Sequence, residues 1–540
     1  MTTLQGQAPS DSALRADERA LSAAEHPIIP GFHPDPSICR VGDDYYIAHS
    51  SFEYHPGVPL WHSTDLVSWN LVGHALADEP RFPAGRAGAN GGVYAPTLRH
   101  HGGRFWMITT DVSGGGGQLV TSAPSITGPW GPAKVIPGII GIDPDLAWDE
   151  DGTCYVTYSS DDDSAPDIAQ VRVDLERGEI IGEPYTICHG MGMAYPEGPH
   201  IFRRGDWWYL LYSEGGTERG HCVSIASATA PDGPFTLSAE NPIFTRRSMV
   251  FPVQNTGHAD IVECADGSWA MVYLGVRARG TTPMFHVNGR EAFVAGIAWE
   301  DRWPVVVPDA YSFTPDATDF TDRFDSDALD LRWISPGAEV TSFARAVPGR
   351  GIQISSASSP NGAPAMLAAR TTDLEWRFEA DVFGVDAGGA DVDGADFGGA
   401  DASASDAAAG GVPAVRLRMD EAHWAEIRVE DGHAALHVRI GPAERIVRDE
   451  APVSAAARGV VTLRIEAAAP THRGPDDLIF TVVDDAGERE LDRIDGRYLS
   501  TEVAGGFLGR TIGLRADGAP DGAPVVFTEV RYTGAKGSTR

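Results

Sequence analysis

Five segments of the chain share one pattern: a small polar opening, an apolar strand, a GD- or DG-type turn, then an aromatic strand. They read HPDPSICRVGDDYYIA from His33, YAPTLRHHGGRFWMI from Tyr94, IDPDLAWDEDGTCYVTY from Ile142, PEGPHIFRRGDWWYLLY from Pro196 and GHADIVECADGSWAMVY from Gly257. A repeat of roughly 50 to 60 residues made of short strands points to a β-propeller with one unit per blade. Similar hairpins could also assemble as a β-sandwich, which is the competing architecture.

Near Thr314 the pattern stops. FTDRFDSDALDLRW opens a second region whose strands, such as WRFEADVFG, AEIRVED and VVTLRIEA, alternate apolar and polar residues. That alternation describes a sandwich with one face of each sheet buried. The expected organisation is an N-terminal tail over 1–26, a five-bladed propeller over 27–312 and a β-sandwich over 313–540, an all-β chain. Within the sandwich, 385–411 is low in complexity and lacks bulky side chains, so it is expected to be a disordered loop. Its Gly and Asp residues are too irregularly spaced for calcium-binding nonapeptides.

The formal net charge of −34 repels phosphate backbones and anionic lipid, so neither nucleic acid nor a membrane surface is an expected partner. No stretch approaches the ~20 apolar residues of a membrane helix, and the N-terminus has no signal-like apolar run. The five cysteines are far apart and odd in number, which suits a reducing compartment. A cytoplasmic protein is the expectation. The Ser113 to Gln118 glycine run lacks a following GK[ST], so it reads as a hairpin loop and not as a phosphate cradle.

Aligning the repeats gives Asp35, Ala95, Asp143, Glu197 and His258 as the residues that open the inner strands. Inner strands of a propeller line a central channel, so these positions converge at one mouth. An Asp or Glu beside Pro or Gly is often only a turn former; here the shared repeat position argues for more. Clustered carboxylates raise one another's pKa, and such a set can hold a protonated acid beside an ionised base. Glycosidic cleavage needs that pair. Spacing alone does not say which acid takes which role.

The strings HPIIPGFHPDPSI, GGVYAPTL, IDPDLAWDEDG, PEGPHIFRRGDWWYLL, TGHADIV and NGREAF occur in an order that resembles glycoside hydrolase family 43. The FTDRFDSDALDLRW start and the GGFLGRTIGLRADG end of the second region resemble the concanavalin-A-like sandwich of its β-xylosidase branch. The resemblance implies an inverting enzyme that releases xylose, L-arabinose or both from oligosaccharides, as in xylan degradation, with another pentose- or galactose-directed exo-glycosidase of the same family as the alternative. It places Asp35 on the general base, Glu197 on the general acid and Asp143 on the acid that tunes Glu197. It also implies sugar contacts from Arg290, pocket walls from Phe52 and Tyr94, and a sandwich loop carrying Phe507 over the site. His258 falls near the axis, where some members hold a calcium ion or a water; the chemistry itself requires no cofactor. Relatives with this sandwich often form homo-oligomers.

Two departures bear on substrate choice. Tyr94 stands where the family commonly has Trp, and Tyr54 and His55 differ from the usual aromatics. Both are expected near the pocket. A fructosidase would need an Asn-Asp-Pro-Asn-Gly motif, which is absent. A non-catalytic sugar-binding protein would be favoured had one of the three acids been missing.

Overall fold

The computed structural model describes residues 21–77, 87–114, 117–358, 364–383, 411–455, 457, 459–518 and 523–534. The stretch expected as a disordered loop lies outside the described residues except for Gly411, and the glycine-run loop lies partly outside them at 115–116.

Each repeat becomes one four-stranded antiparallel sheet. The aromatic and β-branched runs form the strands, and glycines with left-handed backbone, such as Gly42 and Gly205, turn the inner hairpins. The five inner strands are Ser37–Val41, Val93–His101, Gly141–Trp148, Glu197–Arg204 and Val253–Glu263. They touch in cyclic order, the fifth returning to the first. The architecture is a five-bladed β-propeller.

An apolar cluster fills each gap between neighbouring blades. The gap between blades five and one differs from the rest. Ile38, Tyr45 and Ile47 meet Val262 and Val272 there, and Ala23, Ile28 and Ile29 pack into the same cluster. Leu21–Ser22 also pairs with Ser312–Phe313 as a small ribbon. Residues 21–26, expected to belong to a tail, are therefore part of the ring closure. Alanines that read as featureless in sequence are small enough to enter that gap, and Ala23 is wholly buried.

The second region is a β-sandwich. Its larger described sheet runs in the order Ala344–Val347, Gly351–Ile354, Val525–Gly534, Trp376–Phe383, Val460–Ala468, Asp477–Asp484 and Gly487–Asp495. Phe320–Asp322 adds to it beside Val525–Gly534. The facing sheet runs in the order Leu367–Arg370, Thr511–Asp517, Val412–Arg418, His423–Glu430, His433–Ile440 and Ala443–Pro452. One apolar core, including Phe378, Leu463, Phe480, Leu514 and Phe527, lies between them.

The two domains are locked together by backbone as well as side chains. Tyr54–His55 of blade one pairs with Ser335–Pro336. Gly509 approaches Asn288 so closely that a Cβ there would lie 2.4 Å from the Asn288 carbonyl oxygen. Arg418 reaches Glu53 at 2.9 Å and His286 reaches Glu502 at 2.7 Å. An interdomain cluster of Phe32, Phe52, Tyr54, Ile334, Met366, Ala368 and Leu508 runs on into Tyr94 and Phe507. Sandwich docking and the propeller mouth therefore share one apolar cluster.

Candidate active site

The inner strands begin with irregular backbone. Asp35, Asp143 and His258 hold φ of 55°, 56° and 43°, in the left-handed region that non-glycine residues rarely adopt. Such strain persists where surrounding structure over-determines it, and it clusters at functional sites. Pairing with the second strand slips across the corresponding positions in blades two, three, four and five. Each slip is a bulge that re-aims side chains toward the axis.

Asp35, Ala95, Asp143 and His258 line one small cavity, joined by Pro96, Thr97, Gly198 and His200. Repeat alignment had placed Glu197 in this ring. The structure corrects it by one residue: in blade four the left-handed position is Gly198, with φ of 56°, and a Cβ there would meet the His258 ring at 3.0 Å. Glycine occupies that place in the ring, and the acid stands one step before it. Glu197 consequently turns to another partner, the buried His221, whose Nε2 lies 3.4 Å from its Oε1. The His221 Nδ1 is 3.0 Å from the Asn255 carbonyl. Any side chain at Gly257 would collide with the His221 ring at 2.3–2.4 Å.

The carboxylates have contrasting surroundings. Asp35 accepts hydrogen bonds from Arg290 Nη1 at 2.8 Å and Ser50 Oγ at 2.5 Å, and His258 Nδ1 is 3.6 Å away. Burial pushes its pKa up, but Arg290, His258, Ser50 and His49 outweigh burial and hold it below the ordinary carboxylate range. Asp143 goes the other way. Burial, then the charges of Glu197 and Asp35, lift its pKa well above the usual value, against the Gly198 N–H that it accepts at 3.0 Å. Burial lowers His258, more than the nearby acids raise it. Glu197 is the most open of the three acids, its side chain 18% exposed against 6% for Asp35.

Phe52, Tyr94 and Phe507 form an aromatic wall. Phe52 lies 4.9 Å from Tyr94 and 5.9 Å from Phe507 between ring centroids, and the Arg290 guanidinium sits 5.8 Å from Phe52 and 5.5 Å from Phe507. The Asn90 side chain accepts the Phe507 backbone N–H at 2.7 Å, fixing the sandwich loop to blade two. Tyr94 donates to the Asn90 carbonyl at 2.6 Å. Tyr54 and His55, expected near the pocket, are instead spent on the domain interface. Tyr54 is fully buried against Arg418 and Thr511, because its strand pairs with the sandwich.

Below the mouth lies a second ring that repeat reading overlooked. Arg99 bonds Asp260 at 2.7 Å and Asp145 at 2.6 Å, and His200 Nδ1 stands 3.0 Å from Arg99 and 3.2 Å from Asp145. Ser37 donates to Asp260 at 3.0 Å, so every blade contributes one residue. Ser37, Asp145 and Asp260 each stand two places after Asp35, Asp143 and His258, and that shared offset was the available signal. Asp145 and Asp260 are both committed to Arg99. Among the described residues no three His, Cys, Asp or Glu side chains come together in a metal-holding group. Calcium favours six to eight oxygen ligands, and this donor set does not fit a directly coordinated ion.

Comparison with known proteins bears on the family and the fold. The profile of glycosyl hydrolases family 43 matches residues 24–304, and that of the beta xylosidase C-terminal concanavalin A-like domain matches residues 414–533. A xylosidase/arabinosidase of Butyrivibrio fibrisolvens is 40% identical over 302 residues, covering 53% of this chain and 56% of that protein. A non-reducing end alpha-L-arabinofuranosidase of Bacteroides ovatus is 39% identical over 325 residues, covering 57% of this chain and 60% of that protein. The matched part thus spans little more than half of either relative's length. The solved structure of Bacteroides ovatus xyloglucan PUL GH43B superposes with a TM-score of 0.80 at 30% identity, over 95% of this chain and 99% of that one. With a propeller matched over more than half of its residues, the chain belongs to glycosyl hydrolases family 43.

Proposed function

We propose that the protein is an inverting exo-glycosidase that releases terminal xylose or L-arabinose from short oligosaccharides. The observation that carries this reading is the opposed bias of two acids at one mouth. Asp35 is held ionised by Arg290 and His258, while the Asp143 carboxyl beside Glu197 resists ionisation. A general base and a proton source are the two requirements for cleaving a glycosidic bond by inversion.

In this reading Asp35 takes the proton of the attacking water. Glu197, more exposed than Asp35, gives its proton to the leaving oxygen. The carbonyl of Asn255 can only accept, so His221 carries a proton on Nδ1 and turns its Nε2 toward Glu197, fixing the position of that carboxyl. Asp143 and Glu197 crowd one another, so the pair holds one proton between them in preference to ionising both. Blades one and four are not adjacent in the ring, which leaves space for water between base and acid. The aromatic wall of Phe52, Tyr94 and Phe507 closes one side of the mouth and favours a chain end over a chain interior. Five buried, unpaired cysteines suit action on imported oligosaccharides in the cytoplasm.

The test is hydrolysis of nitrophenyl β-xyloside and nitrophenyl α-L-arabinofuranoside by the purified protein, with the first-formed anomer followed by proton NMR. Turnover of at least one substrate with initial inversion is expected. Failure on both and on xylobiose would remove the reading, and initial retention would contradict the role of Asp35.

A further inference from the structure

The aromatic wall covers the mouth on the side of blades one and two. Blade four presents a different surface. The segment leading into Glu197 carries Met191, Met193 and Tyr195, and Tyr195 is the most exposed large apolar side chain in that segment at 72%. Its position is built and not accidental. Tyr195 holds φ of 54°, a strained value for a bulky residue, two positions before Glu197. The neighbouring Ala194 carbonyl accepts the Gly215 N–H at 2.7 Å. The Tyr195 ring rests on Gly216, where a Cβ would already lie 3.2 Å from it. The Cδ2–Cε2 side of the ring thus lies against Gly216, and most of the side chain is open to solvent.

That loop also touches the other half of the site. Thr217 Oγ1 lies 3.3 Å from Arg290 Nη1, which holds Asp35, and His221 at the loop's end faces Glu197. Tyr195 is therefore in register with the reacting centre through one short segment. Arg247 of the following loop reaches Met193 at 3.5 Å, and the same loop exposes Met249 and Val250. An exposed apolar lip joined to a polar site is a mark of a binding surface.

We propose that Tyr195 is the platform of the leaving-group site, on which the ring of the departing sugar stacks while Glu197 protonates the oxygen between the two sugars. This rests on the glycosidase reading above and assigns to it the part that selects the aglycone. The acid marks the leaving-group side of the bond, and Tyr195 is the exposed ring nearest to it in sequence. A pyranose presents an apolar face of C–H groups, which an open tyrosine face matches, and the hydroxyl rim stays in water.

The experiment compares a disaccharide whose leaving sugar is a pyranose with the methyl glycoside of the same pentose, xylobiose against methyl β-xyloside and α-L-arabinofuranosyl-(1→3)-xylose against methyl α-L-arabinofuranoside. Both bonds need protonation, and only the disaccharide offers a second ring. Tyr195→Ala is expected to lower kcat/KM for the disaccharide about 3- to 10-fold, mainly through KM, and to leave the methyl glycoside unchanged. Tyr195→Phe, which keeps the ring, is expected to retain the disaccharide rate. Equal loss on both substrates, no loss on either, or a Phe variant as poor as Ala would overturn the platform. If the unaltered enzyme turns over the nitrophenyl glycosides but neither disaccharide, the platform alone falls; if it turns over none of these compounds, the glycosidase reading falls and the platform with it.

Discussion

Arg290 and Asp35 lie 255 positions apart in sequence and meet with Nη1 2.8 Å from Oδ1, next to the aromatic wall. The guanidinium is the chief force holding that buried carboxyl below its ordinary pKa, against burial that pushes upward. Replacing Arg290 with Met removes the counter-charge and leaves the burial. The acidic limb of kcat/KM is expected to move up by about one to two pH units, since a nearby cation is worth that much to a carboxylate. A pH profile of the variant checks it, and an unmoved limb would mean that Asp35 is not the group titrating there.

Glu197→Gln keeps the shape beside His221 and removes the proton to be given. Turnover of xylobiose should fall about 10²- to 10⁴-fold, the range for loss of a general acid. A dinitrophenyl glycoside, whose leaving group needs no proton, should lose far less. Comparable losses on the two substrates would argue against the acid assignment.

Asp143 reads out at the alkaline end. Burial and the charges of Glu197 and Asp35 lift its pKa, so the Asp143–Glu197 pair keeps a proton above the normal carboxylate range. Asp143→Asn removes the repelling charge, and the remaining proton leaves at lower pH. The alkaline limb of kcat is expected to shift down by about one unit. An upward shift would reverse the sign of the coupling.

The docked sandwich can be tested at Gly509. A Cβ there would lie 2.4 Å from the Asn288 carbonyl oxygen, a backbone atom with little freedom to yield. Gly509→Ala is expected to cost about 1–3 kcal/mol of stability, as overpacking does, and to lower kcat/KM by displacing the neighbouring Phe507. Gly73→Ala, with nothing within 4 Å, serves as the control and should change stability by less than about 0.5 kcal/mol. Thermal melts of the pair give the comparison.

Two buried arginines invite opposite expectations. Arg418 is paired with Glu53 at 2.9 Å across the domain interface, so Arg418→Met strands a charge and should cost about 3–5 kcal/mol. Arg370 has no partner for Nε or Nη2 among the described residues, and burial lowers its pKa to about 10. The other arginines buried as deeply (Arg290, Arg416, Arg418, Arg464, Arg510 and Arg515) each face a carboxylate. Arg370→Met should be neutral or stabilising in the same melts.

The repeat made the blades legible because each blade is contiguous in the chain, so its turn and aromatic strand recur at a readable interval. It also brought Asp35, Asp143 and His258 to one register. It misplaced Glu197 by one residue, because the bulge position in blade four is filled by Gly198, and a glycine carries no side chain to betray its place in the ring. Ser50, Thr217 and His221 were invisible for another reason: they come from second strands and loops whose contacts depend on how blades pack. The docking of Tyr54 and His55 on Ser335–Pro336 is a pairing between residues at least 280 positions apart. No local pattern announces it.

Among the described residues no sheet of the propeller borrows a strand from the opposite end of the chain, so the circle itself is fastened where blade five meets blade one, with the sandwich docked on both. The fastening consists of the Leu21–Ser22 ribbon, Ala23 and Ile28–Ile29 pressed into the gap, and Asp260 gripping Ser37 and the Ile38 N–H. Such a clasp fails before the links it joins. Warming should spring it first, and the blade swung free carries Asp35. Catalysis would then vanish at a temperature where tryptophan fluorescence still reports intact blades, and trimming the residues before His26 would widen that interval.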